Sequence, residues 1–490
     1  MRTLLAGGLI SCTISGCGAG VAGTIPTPAE AVPKAEAGTS EPVTMVAVEP
    51  SAPSTQNAND GAGAWIGAAA SSDFLPTNET EHNVAIWVDV PQAAHRAHVP
   101  VALTLTIDTS GSMGAENKMA HARTAATRVV DGLADGDSVA LHTFSDDVRV
   151  RVPRTVLTPL ARRAMHSVIE ELQAGGGTNL FDGVRLSEAD TAAANATHSA
   201  RRVVVISDGK ATVGQTSPEA MGRIAEFGMG HGVQVTSFGV GLDYDESTLN
   251  ALAMRSSGRL YHIADAAELP GMVERELALI RATMATDAFV DLVAAPGVTL
   301  VHADGASKNF GPGGGLRVPL GSMFAGQTRE LLVRVRVADQ SPGQRPLLSA
   351  RLHFHDPADG GIERVQEVVA RATLTDDSSQ VAAHAHPRAQ SISALQQAAF
   401  FAARASSQAN TGDFDSAERE LAQAEARLRD GARHAKTKEE RARITSNAER
   451  MTSARRSLKA AAAAPAPKRA AVGRANALEL NDAALDLQGY

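Results

Sequence analysis

Five side chains in three separate pieces of the chain carry the chemistry. Asp108, Ser110 and Ser112 lie in Asp-Thr-Ser-Gly-Ser-Met, Thr178 in Gly-Gly-Gly-Thr-Asn, and Asp208 in Val-Val-Val-Ile-Ser-Asp-Gly. Together they supply two carboxylates and three hydroxyls, all hard oxygen donors. Such oxygens suit Mg2+, Mn2+ or Ca2+ and do not suit zinc or copper. With water in the shell, the set can surround one octahedral cation and leave a position open. Another molecule's carboxylate can take that position. Without a cation, Asp108 and Asp208 would merely cap helices and Thr178 would sit in a turn.

The elements around these residues place them together. Apolar runs over 99–107 and 202–207 lead into Asp108 and Asp208. Continuous apolar character predicts strands buried on both faces, as in a parallel sheet. Further strands are predicted over 138–144, 148–152, 233–240 and 259–263, the first two joined as a hairpin across Ser145-Asp146-Asp147. Helices are predicted over 117–133, 160–172, 180–194, 218–230, 245–256 and 266–285. This alternation makes a doubly wound, mostly parallel α/β sheet. Ligands on such sheets bind beyond the carboxyl ends of strands, near a switch point. Asp108 and Asp208 occupy two such ends. Gly111 and the run Gly175-Gly176-Gly177 let the backbone turn tightly around an ion.

Asp-x-Ser-x-Ser, a distant Thr in a Gly-rich loop, and Asp-Gly after an apolar strand together resemble the metal-ion-dependent adhesion site of von Willebrand factor type A domains. One such string arises by chance in loops; three pieces in order and in strand context are specific. The resemblance covers residues 99–285 well and the flanks only loosely. The stretch from Asp208 to Gly214 is also similar to bacterial and inter-alpha-trypsin-inhibitor-like members. Calcium-activated chloride channel-like proteins share such domains, but nothing here reads as a pore. The resemblance implies that Ser110, Ser112 and one carboxylate contact the cation directly. The other carboxylate would act largely through water, and Thr178 would join when ligand binds. Few directly bound charges leave the cation electrophilic. The implied function is adhesion or scaffolding through Mg2+ (or Ca2+ or Mn2+), with a protein ligand offering an Asp or Glu carboxylate.

The 490 residues predict two or three domains plus linkers. A net charge of -8 argues against nucleic-acid binding as the function of the chain. Both cysteines, Cys12 and Cys17, fall in the first seventeen residues, so the folded body has no disulfide and no cysteine ligand. Residues 1–17 read as a secretory signal: one Arg, a short apolar run and small residues before a cysteine. Ile14-Ser15-Gly16-Cys17 resembles the lipobox of bacterial lipoproteins, which implies acylation of Cys17; Cys12 is a second candidate after a shorter apolar run. By the same resemblance, Gly18 after the cysteine implies the outer membrane of a bacterial envelope. No other segment approaches the ~20 apolar residues of a spanning helix, so membrane contact is expected through the lipid anchor only.

The rest of the chain is organised around the 99–285 domain. Residues 18–80 are an Ala/Pro-rich stretch expected to be a disordered tether. Val84, Ile86, Val88 and Val90 alternate within an isolated strand at 81–98. Short alternating runs over 286–376, separated by Gly and Pro turns, predict an antiparallel β-sandwich. The isolated strand is expected to complete that sandwich, making the metal domain an insertion. A polar linker at 376–387 leads to a helical hairpin or three-helix region at 388–460, then an Ala/Pro-rich tail at 461–490 with a short helix near 475–487. The joint Thr411-Gly412-Asp413-Phe414 resembles a tetratricopeptide-type turn, though stacking needs about three repeats.

Lesser candidates read as structural. His353 and His355 share a strand face but lack a third metal ligand. His384 and His386 fall in the linker as incidental residues, and Asp243 and Asp245 read as helix caps. A hydrolase using Mg2+-activated water would need a His or Glu base in the motif loops, and none is present there. The chain is therefore expected not to be an enzyme and to take no small-molecule substrate. The alternative is a structural protein whose metal only stabilises the fold.

Overall fold

The computed structural model describes residues 65–92, 98–194, 197–242, 244–304, 309–310, 314–435, 437–463 and 465–487. The leader with Cys12 and Cys17, the tether as far as residue 64, and Asp243 lie outside the described residues.

Three strands precede the first motif: β1 (Ile66–Ala70), β2 (Phe74–Pro76) and β3 (Glu81–Asp89). This corrects the tether, which ends before β1, and gives β3 an earlier partner. β1 runs antiparallel to β3 with Ala68 opposite Ile86, and all its residues are buried. Ile-Gly-Ala-Ala-Ala carries little strand propensity; burial between neighbours makes it a strand. A Cβ at Gly67 would overlap the Trp87 indole, so glycine is needed for that packing.

The inserted domain follows as β4 (Val101–Asp108), α1 (Lys118–Gly132), β5 (Ser138–Phe144), β6 (Val148–Val156), α2 (Pro159–Glu170), α3 (Leu180–Ala192), β7 (Ala200–Ser207), α4 (Pro218–Met229), β8 (Val233–Val240), α5 (Glu246–Arg255), β9 (Arg259–Ile263) and α6 (Leu269–Arg281). Its sheet has the order β6-β5-β4-β7-β8-β9, parallel except for β6 at one edge. Helices α1, α2 and α6 cover one face and α3, α4 and α5 the other, each burying its own apolar cluster. Every residue of β4 and β7 is buried, as strands covered on both faces require. The chain reverses its winding between β4 and β7, so the ends of these two strands frame the switch point.

The helix expected over 266–285 is shorter. A 3-10 turn (Ala266–Glu268) precedes α6, and the chain is already a strand at Thr283. Met284 and Ala285 belong to the sandwich core, which pulls them out of the helix. The sandwich continues as β10 (Thr283–Ala294), β11 (Val298–Asp304), β12 (Asn309–Phe310), β13 (Leu316–Phe324), β14 (Thr328–Val337), β15 (Gly343–Asp356) and β16 (Ile362–Thr375). One sheet has the order β1-β3-β14-β11 and the other β12-β13-β10-β15-β16-β2. β3 thus sits inside a sheet whose other neighbour, β14, comes more than 200 residues later, with Ile86 opposite Leu331.

The helical region holds α7 (Ser378–Ala383), α8 (Pro387–Asn410), α9 (Phe414–His434), α10 (Lys438–Ala462) and α11 (Ala466–Leu487). Two expectations are corrected. The linker contains α7, and the tail is a long fourth helix of the bundle. Leu480, Ala483, Ala484 and Leu487 of α11 enter a core built largely of alanines from α8, α9 and α10. α8 rests on the sandwich, where Arg388 donates to both Asp89 carboxylate oxygens at 2.7 Å and lies over the Trp87 ring. His386 is not incidental: it stacks on Trp87 and caps α8 by accepting from Ala389 N. α11 reaches the inserted domain, whose core takes in Leu478 and Leu485.

Candidate metal centre

β4 ends on Asp108, and β7 ends on Ser207 with Asp208 next. Ser110 and Ser112 lie on the turn after β4, and Thr178 sits on the Gly-rich loop before α3. The two loops are stitched together by Gly111 N donating to Gly176 O at 3.0 Å and Gly175 N to Thr109 O at 2.7 Å. Gly176 takes a positive φ of 88°, and a Cβ there would lie 2.5 Å from Asp146 Oδ2. Asp146 in turn accepts from Gly177 N at 2.9 Å. Thr212, on the loop after Asp208, accepts from Thr178 N at 3.0 Å and donates its own N–H back to Thr178 O.

The structure brings all five residues of the motif together. A Cβ on Gly209 would lie 3.4 Å from Ser112 Oγ, 3.6 Å from Thr178 Oγ1 and 3.9 Å from Asp108 Oδ2. Ser110 Oγ and Ser112 Oγ are 3.1 Å apart, and Ser112 Oγ donates to Asp208 Oδ1 at 2.7 Å. Asp108 accepts from Ser110 N at 2.8 Å and from Ser207 Oγ at 2.6 Å. Asp108, Ser110, Thr178 and Asp208 are buried, while Ser112 is exposed and forms the open rim.

Burial raises the Asp108 carboxyl to about 6, although hydrogen bonds from Ser110 and Ser207 pull the other way. A deeply buried carboxylate with this little compensation favours an added positive charge. The residues present therefore fit a hard divalent cation. Among the described residues no three His, Cys, Asp or Glu side chains gather as a metal group, so the oxygens here are mainly hydroxyls.

Sequence reasoning missed Asp146, Ser207, Thr212 and Lys118. The ammonium of Lys118 donates to Asp208 Oδ2 at 2.9 Å from a nearly buried position. Ser207 was visible as the residue before Asp208; the others become neighbours only through the fold. The lesser candidates settle elsewhere. Asp245 caps α5, accepting from Thr248 N at 3.3 Å. His353 pairs with Glu363 at 3.0 Å and stacks on Phe289.

The loop between β8 and α5 is held by Arg474 of α11, which donates to Leu242 O at 3.2 Å, Tyr244 O at 2.8 Å and Glu246 Oε2 at 3.2 Å. Burial lifts the Glu246 carboxyl to about 7 despite Arg474, and Asp245 adds to the rise. Stability from a carboxyl raised in the folded state is full below its unfolded pKa and is lost as pH climbs through 7. Glu246→Gln is therefore expected to be more stable than the wild type at pH 8 by about 2 kcal/mol. The gap should close toward pH 5; thermal melts across this range check it, and a gap independent of pH would contradict it.

Residues 103–275 match the sequence model of the von Willebrand factor type A domain. The chain is 24% identical over 298 residues to the uncharacterized protein sll0103 of Synechocystis sp., covering 58% of this chain and 68% of that protein. It is 25% identical over 218 residues to the uncharacterized protein YfbK of Escherichia coli, covering 44% of this chain and 38% of YfbK. With inter-alpha-trypsin inhibitor heavy chain H3 of Homo sapiens it shares 26% over 186 residues, 36% of this chain and 21% of that one. The match thus spans well under half of YfbK and about a fifth of the heavy chain. A solved von Willebrand factor type A protein from Catenulispora acidiphila has a TM-score of 0.69 at 19% identity, covering 86% of this chain and 96% of that one. At that identity the likeness is one of fold. Domains of this type typically hold a divalent metal and commonly bind protein partners.

Proposed function

We propose that this chain, which carries a von Willebrand factor type A domain at residues 103–275, binds an Asp or Glu carboxylate of a protein partner through a divalent cation. The cation would be held by Asp108, Ser110, Ser112, Thr178 and Asp208. The observation that carries the reading is the gathering of Ser112, Thr178 and Asp108 oxygens around Gly209. When bound, the cation supplies an open coordination position for an incoming carboxylate. The chain's own residues do the rest. Buried Asp108 and Asp208 are aimed by hydrogen bonds from Ser110, Ser207 and Ser112. Three hydroxyls supply oxygen without charge, and the exposed Ser112 leaves the ligand a way in. Mg2+ is the expected cation, with Ca2+ and Mn2+ sharing its oxygen chemistry.

The proposed role is binding in adhesion or scaffolding, not catalysis, at a bacterial envelope with a lipid on Cys17. No helix among the described residues is long and apolar enough to cross a membrane. A second reading, in which the cation only braces the fold, is favoured by the burial of both carboxylates. A pull-down from envelope extract separates the two. The expected result is a partner retained by wild type in Mg2+, and lost both in EDTA and with Asp108→Ala. The same proteins in every lane would shift weight to the bracing role.

A further inference from the structure

We infer that Lys118 is a positioning residue that sets the charge and the coordination of the metal centre. It weakens the hold on the cation and strengthens the hold on the ligand carboxylate. The inference rests on reading the site as a cation centre.

Three observations converge on it. First, Lys118 is only 8% exposed, unusual for lysine, and its ammonium lies 2.9 Å from Asp208 Oδ2. Second, Glu116 and Asn117 just before it adopt left-handed φ of 53° and 58°. Two consecutive non-glycine residues in that region are strained. They turn the chain from a 3-10 turn (Gly111–Gly114) into α1 so that Lys118, its first residue, points inward. Third, Gly241 at the end of β8 has φ of 84°, and a Cβ there would lie 3.4 Å from Lys118 Nζ. Segments distant in sequence, after β4 and after β8, therefore meet around this ammonium.

The consequence follows from Asp208. Its Oδ2 is engaged by Lys118, and its Oδ1 faces Ser112. Asp208 can thus offer one oxygen to the centre, directly or through water, and chelation by both is blocked. The ammonium also reduces the net charge of the two carboxylates from -2 to -1. A divalent cation then leaves the centre at +1 instead of neutral. Coulomb attraction for the cation falls, and attraction for an incoming carboxylate rises.

Mn2+ titration of the full chain, followed by water-proton relaxation, tests this, with acetate as the carboxylate probe. Lys118→Met should bind Mn2+ about tenfold more tightly or better, and require about tenfold more acetate to displace bound water. Lys118→Gln, which can still offer a neutral N–H to Asp208, should do the same and serves if the methionine variant folds poorly. A merely structural brace predicts the opposite sign, because a loosened Asp208 would weaken Mn2+ binding. Weaker or unchanged Mn2+ affinity in a folded variant overturns the role of Lys118 and leaves the centre standing. Absence of Mn2+ binding by the wild type overturns the cation reading itself.

Discussion

Asp108→Ala is expected to lower Mg2+ affinity on the order of 100-fold or more while the domain stays folded. Removing one partner from a buried charged assembly commonly costs about 3–5 kcal/mol, or roughly two to three and a half decades in affinity. Asp108 is the last residue of a central strand and is wholly buried. The fold loses less. The substitution leaves Ser110 N and Ser207 Oγ without their acceptor, at about 1–3 kcal/mol, but removes a carboxylate that burial already disfavours. The apolar clusters on both sheet faces are untouched. Calorimetric titration with Mg2+ and melts with and without Mg2+ check it. In the variant, the metal-dependent rise in melting temperature should vanish, since a ligand stabilises only what it binds. Retention of wild-type Mg2+ affinity would remove Asp108 from the site.

How far the sequence discloses this molecule depends on where each signal originates. β4, β7 and β8 are legible because a parallel strand covered on both faces must be apolar throughout. The five motif residues are legible because they follow such strands or a Gly-rich loop. β1 is not, since Ile-Gly-Ala-Ala-Ala has no period; Trp87 over Gly67 and Ile392 of α8 near Ala69 decide its state. The start of β10 is hidden because no Gly or Pro separates Arg281 of α6 from Thr283. α11 is masked by the Ala/Pro run before it, and its leucines make sense only against α8 and the inserted domain. Lys118 looks like an ordinary solvated lysine opening a helix. Its burial comes from contacts that only the fold creates, with Asp208 90 residues on and with Gly241 beyond it.

Deleting residues 65–92 is expected to unfold the sandwich and spare the inserted domain. The deletion removes β1, β2 and β3, and β3 is an interior strand paired on both sides. Val84, Ile86 and Val88 go with it from the sandwich core. At about 1.5–3 kcal/mol for each large apolar side chain, these three alone approach the 5–15 kcal/mol that holds a typical domain. The unpaired edge of β14 adds to the loss. The inserted domain has its own sheet and two cores, to which α11 adds only Leu478 and Leu485. Its two connections to the sandwich emerge side by side, where Gly326 N donates to Val90 O and Ala325 N to Ala282 O. Such closely spaced ends let a domain fold independently of its host. Limited proteolysis should then cut the chain within 286–376 and leave a resistant fragment near 98–282 that still binds Mg2+. A sandwich as resistant as in the wild type would mean that β3 is dispensable, and would sink the reading of the metal domain as an insertion.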